Sequence, residues 1–417
     1  MMNTKPLLIV ESPSKARTIE KYLGGEYRVL ASVGHIKDLP RRGKAVDIEN
    51  NFATRWEVLP DKKGFVKELK KTARESGAVF IATDPDREGE AIAAHIASEI
   101  PDVKPQRVRF NEITPKAIRE ALQTPSSIDT HLVEAQLARR ILDRLVGYEV
   151  SPVLWPTLGK SIRWVKEKFS AGRVQSTTLR LVVERERERM RFRQAQYFDL
   201  SVDLETKDAQ RFTATLSRVD DIRIAEGKDF DSTTGALKKV RVKLLMESDA
   251  QALKEEIKPG PWIVDLKETR PKQVRPKPPF TTSTLQQAAV RRFGSSRRVM
   301  RIAQTLYEAG YISYMRTDST NLSAEALTGA RSIIRDQFGK AYLPEKAIQY
   351  KTKVKNAQEA HEAIRPAGDR FTEVAAVTQA LGTDAGRLYE IIWRRTIASQ
   401  MNPAKKLQTL LEITSGR

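Results

Sequence analysis

Ala78-Val79-Phe80-Ile81-Ala82-Thr83-Asp84-Pro85-Asp86-Arg87-Glu88-Gly89-Glu90 begins as an apolar run and ends in acids. The spacing predicts a strand over 78–83, an acidic loop, and a helix over 91–97. Asp84, Asp86 and Glu88 stand at every second position, and alternate residues of an extended chain share a face. Three carboxylates on one small volume repel each other unless a cation neutralises them. With no Cys or His beside them, oxygen ligands favour a hard ion, and Mg²⁺ held through a few carboxylates serves phosphate chemistry. A solvated acidic turn is the plain alternative for such a pattern taken alone.

The N-terminus repeats the plan. Pro6-Leu7-Leu8-Ile9-Val10 reads as a short buried strand with Glu11 at its carboxyl end. Ser12-Pro13-Ser14 then supplies N-cap and first-turn residues for a helix through Leu23, which Gly24-Gly25 ends. In an open parallel α/β sheet, functional groups gather beyond the carboxyl ends of the strands. Glu11 and the 84/86/88 cluster are therefore expected to face one crevice, with Lys15 able to reach a phosphate there.

Composition narrows the partner. Lys and Arg number 73 against 53 Asp and Glu, a formal charge of +20, so the surface field favours a polyanion. The chain also carries 40% hydrophobic residues over 417 positions, enough for the cores of several domains rather than a basic tail. The absence of cysteine removes disulfides, thiolate zinc sites and cysteine nucleophiles. The apolar run after Met1-Met2-Asn3-Thr4-Lys5 is too short for a signal peptide, and no stretch approaches the ~20 apolar residues of a membrane span. A cytoplasmic protein without a membrane partner is expected.

Residues 1–150 alternate strand-like and helix-like segments, and the pattern turns helical from about 131. In Gln136 to Tyr148, Leu137, Ile141 and Leu145 share one face, while Arg140, Arg144 and Tyr148 share another. Two guanidiniums and an aromatic ring in line suit a nucleic-acid strand; a solvated basic face is the alternative. Ser170-Ala171-Gly172-Arg173-Val174-Gln175-Ser176 opens a helix whose amides, with Arg173, suit a phosphate. Tyr197–Leu204, Phe212–Leu216, Lys239–Leu244 and Trp262–Leu266 read as strands of an antiparallel module, followed by a stiff linker over 270–280 and a helical, arginine-rich stretch capped by Ser283 or Thr284.

Past Gly310 comes Tyr311-Ile312-Ser313-Tyr314-Met315-Arg316-Thr317-Asp318. If 311–316 is extended, Tyr314 and Arg316 share a face. A phenol titrates near ~10, so it attacks poorly at neutral pH unless positive charge favours the phenolate. Arg316 is a source of that charge, and a tyrosine packed at a domain surface is the alternative. His361 and Arg365, one helical turn apart before Pro366, form a second basic pair.

Taken together, these stretches resemble the bacterial type IA DNA topoisomerases, specifically their topoisomerase I branch. The resemblance rests on Leu8 to Ala16, Ser32-Val33-Gly34-His35-Ile36-Lys37-Asp38-Leu39-Pro40, the 84–90 cluster, Phe110-Asn111-Glu112-Ile113-Thr114, Ser170 to Ser176, Pro279 to Gln287, Tyr314 to Ser319 and Gln358 to Pro366, in the family's order. The Ser-Val-Gly-His form around His35, with the Asn-Glu-Ile-Thr box, is closer to topoisomerase I than to topoisomerase III. It implies an α/β toprim domain with a Rossmann-like parallel sheet, then mainly helical domains and an antiparallel β arch, arranged as a toroid. The implied divisions are 1–150 toprim, 151–195 helical gate, 196–275 arch, 276–400 tyrosine-bearing helical domain and 401–417 a returning arch strand.

The same resemblance implies roles. Tyr314 attacks a single-strand phosphodiester in negatively supercoiled DNA and forms a 5′-phosphotyrosyl link, without ATP. Glu11 protonates the leaving 3′ oxygen, and Lys15 and Arg316 stabilise phosphate charge. Asp84, Asp86 and Glu88 hold Mg²⁺. Arg140, Arg144, Tyr148, Arg173, Gln175 and Ser176 contact the strand, His361 and Arg365 contact phosphate near Tyr314, and His35 acts in placement. The protein is expected to act as a monomer. The family's chains continue beyond Arg417, so an incomplete toroid is expected, with cleavage present and full relaxation in doubt. A toprim-type nuclease or primase, or a noncatalytic single-strand-binding remnant, are the rival readings.

Overall fold

In the computed structural model, residues 5–158, 169–238, 241–258, 260–350 and 362–415 are described. The chain divides into two compact units, Met1–Glu149 with Val274–Ala404, and Val150–Gln273 with Lys405–Arg417.

The first unit is built on a four-stranded parallel sheet. Strands β1 (Leu7–Val10), β2 (Arg28–Ala31), β3 (Val79–Ile81) and β4 (Gln106–Arg107) lie in the order β2-β1-β3-β4. All four residues of β1 are buried because helices cover both faces, which is why the strand reads as an unbroken apolar run. Leu7 and Ile9 point to one side, against Val66 and Leu69 of α2 (Lys63–Glu75) and Ile92 and Ile96 of α3 (Arg87–Glu99). Leu8 and Val10 point to the other, against Ile19 of α1 (Pro13–Leu23) and Ile118 of α4 (Pro115–Gln123).

That second face also receives the later helical segment. Leu285 and Phe293 of α6 (Thr282–Phe293), Val299 and Leu306 of α7 (Ser296–Glu308), and Leu388 and Ile392 of α10 (Thr383–Ser399) join the same hydrophobic core as Leu8 and Val10. One continuous core thus fixes α6, α7 and α10 against the sheet. Helices α5 (Thr130–Leu145), α8 (Ala324–Ile333) and α9 (Val374–Leu381) complete the unit.

Local signals explain the helix ends. Ser12 caps α1 by accepting from the Lys15 amide at 3.1 Å, Pro13 occupies its first turn, and Gly24 closes it with φ 58°. The cap of α6 is Thr281, in a reciprocal pair with Thr284, rather than Ser283 or Thr284 itself.

In the second unit, helix Arg173–Arg191 carries exposed Val174, Leu179, Leu181 and Val182. Strands Ser201–Glu205 and Arg211–Thr215 form an antiparallel hairpin. Lys239 and Val240 of the expected strand fall outside the described residues, and Lys243 makes a single bridge to Ile224. Trp262–Val274 is one long strand paired with Ala404–Ser415, so extended pairing reaches into the expected linker. Among the described residues, no helix is long and apolar enough to cross a membrane.

Candidate active site

The acidic loop connects β3 to α3, but extended chain does not continue through it. Asp86 is the N-cap of α3, accepting from the Gly89 amide at 2.8 Å, and Glu88 already lies in the first helical turn. A helix N-terminus favours carboxylates there, and this explains why the loop tolerates them without strict alternation. Gly89 is required by close approach: a β-carbon would sit 2.1 Å from the Asp84 carbonyl oxygen. Gly89→Ala is therefore expected to cost about 2–4 kcal/mol by forcing strain into a packed loop; a thermal melt within a degree of wild type would contradict this.

Beyond the strand ends the expected residues meet. Lys15 Nζ donates to Asp84 Oδ1 at 2.6 Å, and both side chains are buried. The Asp84 amide donates to Glu11 Oε1 at 2.5 Å. Burial, followed by the nearby Asp84 carboxylate, pushes Glu11 up to about 7, so it is a protonated acid at slightly acidic pH. Arg107, fully buried beneath the loop, donates to the carbonyls of Ile81, Val108 and Asp84 and to Glu90 Oε1, fixing the rim from below.

Tyr314 arrives from the segment after α7. Its hydroxyl donates to Asp86 Oδ2 at 2.5 Å, and Arg316 Nη1 donates to Glu88 Oε2 at 2.8 Å and Asp86 Oδ2 at 3.4 Å. The two side chains reach the same rim, as expected, although the segment is irregular chain anchored by the Ile312–Pro366 bridge. The expected activation by Arg316 is reversed in balance. Burial, then Asp84 and Asp86, hold the phenol proton more tightly than usual, and Arg316 offsets this only in part. Asp86 is the hydrogen-bond acceptor of that hydroxyl.

The carboxylate donors suit a hard cation in kind. Their present partners are Lys15, Tyr314 and Arg316, and among the described residues no group of three or more acidic or histidine side chains converges as a metal cage.

The strand-contacting candidates are distributed more widely. Arg140 forks onto Asp38, with Nε–Oδ1 at 2.8 Å and Nη2–Oδ2 at 2.7 Å. The Arg144 guanidinium stacks 3.5 Å from the Tyr148 ring centroid, and both side chains donate to the Arg41 carbonyl. His35 packs beside His95, and burial holds its pKa below the ordinary value. In the second unit, Gln175 Nε2 donates to the Ser170 carbonyl at 2.9 Å, Ser176 Oγ accepts from the Gly172 amide at 3.2 Å, and Arg173 begins the helix.

Arg365 departs from its expected role. It is 2% exposed and its guanidinium is committed to Glu112 and Glu362, so it is not presented to a phosphate; residues 362–366 are bridged to Phe280 and Ile312 rather than helical. His361 lies outside the described residues. Residues given no role from sequence also matter here: Asn111, whose carbonyl takes the Tyr314 amide at 2.7 Å; Tyr307, whose ring meets that of Tyr314 edge-on at 5.2 Å; and Asp38. Asn111 and Asp38 lay within the resembling stretches, but nothing in their spacing reveals partners that are distant in sequence.

A parallel sheet thus carries an acidic rim that meets the hydroxyl of a tyrosine from a helical segment. The chain belongs to the DNA topoisomerase family, which matches residues 127–417, and carries a Toprim domain, which matches residues 6–113. It is 47% identical to DNA topoisomerase 1 of Synechococcus elongatus over 98% of this chain and 48% of that relative. It is also 47% identical to DNA topoisomerase 1 of Mycolicibacterium smegmatis, over 99% of this chain and 46% of that one. The solved full-length topoisomerase I of Thermotoga maritima superposes with a TM-score of 0.77 at 40% identity, covering 97% of this chain and 62% of that one. The chain thus spans about half the length of the curated relatives it matches. The expected toprim domain followed by helical segments and antiparallel hairpins is borne out, and a toprim domain is a metal-binding fold.

Proposed function

We propose that this chain carries the cleavage and rejoining centre of a type IA DNA topoisomerase acting on single-stranded segments of negatively supercoiled DNA, as a nucleoid-associated monomer without ATP. The contact between the Tyr314 hydroxyl and Asp86 Oδ2, at a rim shared with Glu11 and Lys15, carries this reading. Tyr314 Oη attacks the phosphorus while its proton passes to Asp86. The bond from phosphorus to the 3′ oxygen breaks, and that oxygen takes the proton of Glu11. The product is a 5′-phosphotyrosyl bond and a free 3′ hydroxyl; the reverse reaction reseals the strand, because the ester keeps the bond energy. Lys15 and Arg316 offer positive charge to the phosphate. Asp84, Asp86 and Glu88 would hold Mg²⁺, which supplies further positive charge to position DNA for resealing.

Tyr314 is 1% exposed, so a bound strand must part the side-chain tips at the rim before attack. In this reading residues 1–150 bear the acids and residues 276–400 the tyrosine. The first unit contacts the strand through Arg140, Arg144 and Tyr148, with His35 setting placement; by family likeness Arg173, Gln175 and Ser176 are strand contacts and His361 is a phosphate contact.

Incubation with supercoiled plasmid and Mg²⁺, quenched with denaturant, is expected to trap nicked circles bound covalently to protein; free nicked circles alone would favour a nuclease. Asp86→Asn is expected to slow adduct formation about 10²-fold or more while single-strand affinity stays within about threefold. An unchanged rate would remove Asp86 as proton acceptor.

A further inference from the structure

We infer that Glu112 is a positioning residue for Tyr314, acting through a buried clamp centred on Arg365. This rests on the function proposed above.

The Arg365 guanidinium offers five N–H donors, and all are engaged. Nε and Nη2 fork onto Glu362 at 2.8 and 2.9 Å, Nη2 also reaches Ser323 Oγ at 3.3 Å, and Nη1 meets Glu112 Oε2 and the Pro366 carbonyl. Glu112 Oε2 accepts in addition from the Gly368 amide at 2.9 Å. The backbone of Arg365 in turn holds the residue before the nucleophile. Its amide donates to Ser313 Oγ at 3.0 Å, its carbonyl accepts from the Ser313 amide at 2.9 Å, and Ser313 Oγ donates to the Ala363 carbonyl at 2.7 Å. The Tyr314 amide then donates to Asn111.

Consecutive residues 111 and 112 therefore grip the nucleophile's backbone twice, directly at Tyr314 and through Arg365 at Ser313. Both belong to the segment after β4, which is tied to the rim because the Val108 amide donates to Ile81 and Arg107 holds the Asp84 carbonyl. The contacts that an entering phosphate must displace are those of the Tyr314 and Arg316 tips. The clamp lies behind them and keeps the backbone registered with Asp86 and Glu11.

Stability alone does not explain two carboxylates around one buried guanidinium. Desolvating such groups offsets most of their attraction, and well-packed apolar residues would hold the fold equally well. Geometry explains it better, since displacement of a reacting group by ~1 Å can cost about 10² in rate.

The test is Glu112→Gln in the whole chain, which preserves shape and removes one charge. Single-turnover adduct formation on an oligonucleotide is expected to fall about 10²-fold, with the half-saturating DNA concentration unchanged. Amide exchange at Tyr314 is expected to rise at least about tenfold while amides of β1 keep their protection. Glu112→Asp, which keeps the charge, should recover most of the rate. Should Glu112→Gln fail to fold, Arg365→Lys, which keeps the buried cation but loses the fork, is expected to show the same two effects. An unchanged rate and unchanged Tyr314 exchange would overturn the inference, as would equal losses in rate, affinity and β1 protection. If the wild-type chain forms no adduct, the functional reading fails, while the exchange experiment still decides whether the clamp exists.

Discussion

A Tyr314→Phe chain is expected to bind single-stranded DNA as the wild type does and to form no covalent adduct, a loss of about 10⁴-fold or more in cleavage. Removing the nucleophilic atom leaves nothing to form the ester, whatever the surrounding charges contribute. The fold should survive. The ring keeps its edge-on packing against Tyr307 at 5.2 Å, and Asp86 retains Arg316 and the Gly89 amide. Gel separation under denaturing conditions reads the adduct, and a melting curve checks that the variant is folded. A phenylalanine chain that still cuts DNA would favour the toprim nuclease reading. Salt-dependent binding with no adduct even in the wild type would favour a noncatalytic binder.

The second large effect concerns Glu11. Glu11→Gln is expected to slow cleavage by about 10²–10⁴-fold, the usual worth of a general acid, because the amide cannot give a proton to the leaving 3′ oxygen. The pH dependence supplies a signature. The folded chain holds Glu11 up to about 7, above its ordinary value, because the rim is buried and Asp84 is close. Protonated Glu11 is abundant below that value and scarce above it, so wild-type cleavage should decline as pH rises through about 7. The glutamine chain should lack that limb.

Stability follows the same direction. A pKa raised on folding stabilises the fold at pH below the unfolded value, and that contribution is lost as pH climbs through about 7. The loss is on the order of 3 kcal/mol, and the glutamine chain should escape it. A wild-type rate that rises steadily across pH 6–8, matched by the glutamine chain, would remove Glu11 from the acid role.

Much of the rim was legible because its signals are local. The apolar run before Glu11, the Ser12-Pro13 cap and the alternation of strand and helix give the parallel sheet, and the sheet gives the crevice. The alternation of Asp84, Asp86 and Glu88 pointed to side chains that do reach one rim, but the alternation itself does not hold, since Asp86 caps a helix instead of continuing a strand. Partners far apart in sequence were not legible. No spacing rule reveals that Tyr314 meets Asp86 or that Arg140 is held by Asp38, and Arg365 reads as a surface cation until its two carboxylate partners are seen. The phenol's tightened proton was hidden for the same reason: a neighbouring arginine is visible in sequence, while burial and carboxylates far away along the chain are properties of the fold.

The most direct test of the central claim is the fate of end labels. A single-stranded oligonucleotide labelled at its 3′ end should leave the label on the protein after denaturing quench, with the linked peptide mapping to Tyr314. The same oligonucleotide labelled at its 5′ end should release a free fragment ending in a 3′ hydroxyl. A label pattern of the opposite polarity, a linkage at any other residue, or cleavage without linkage would contradict the account.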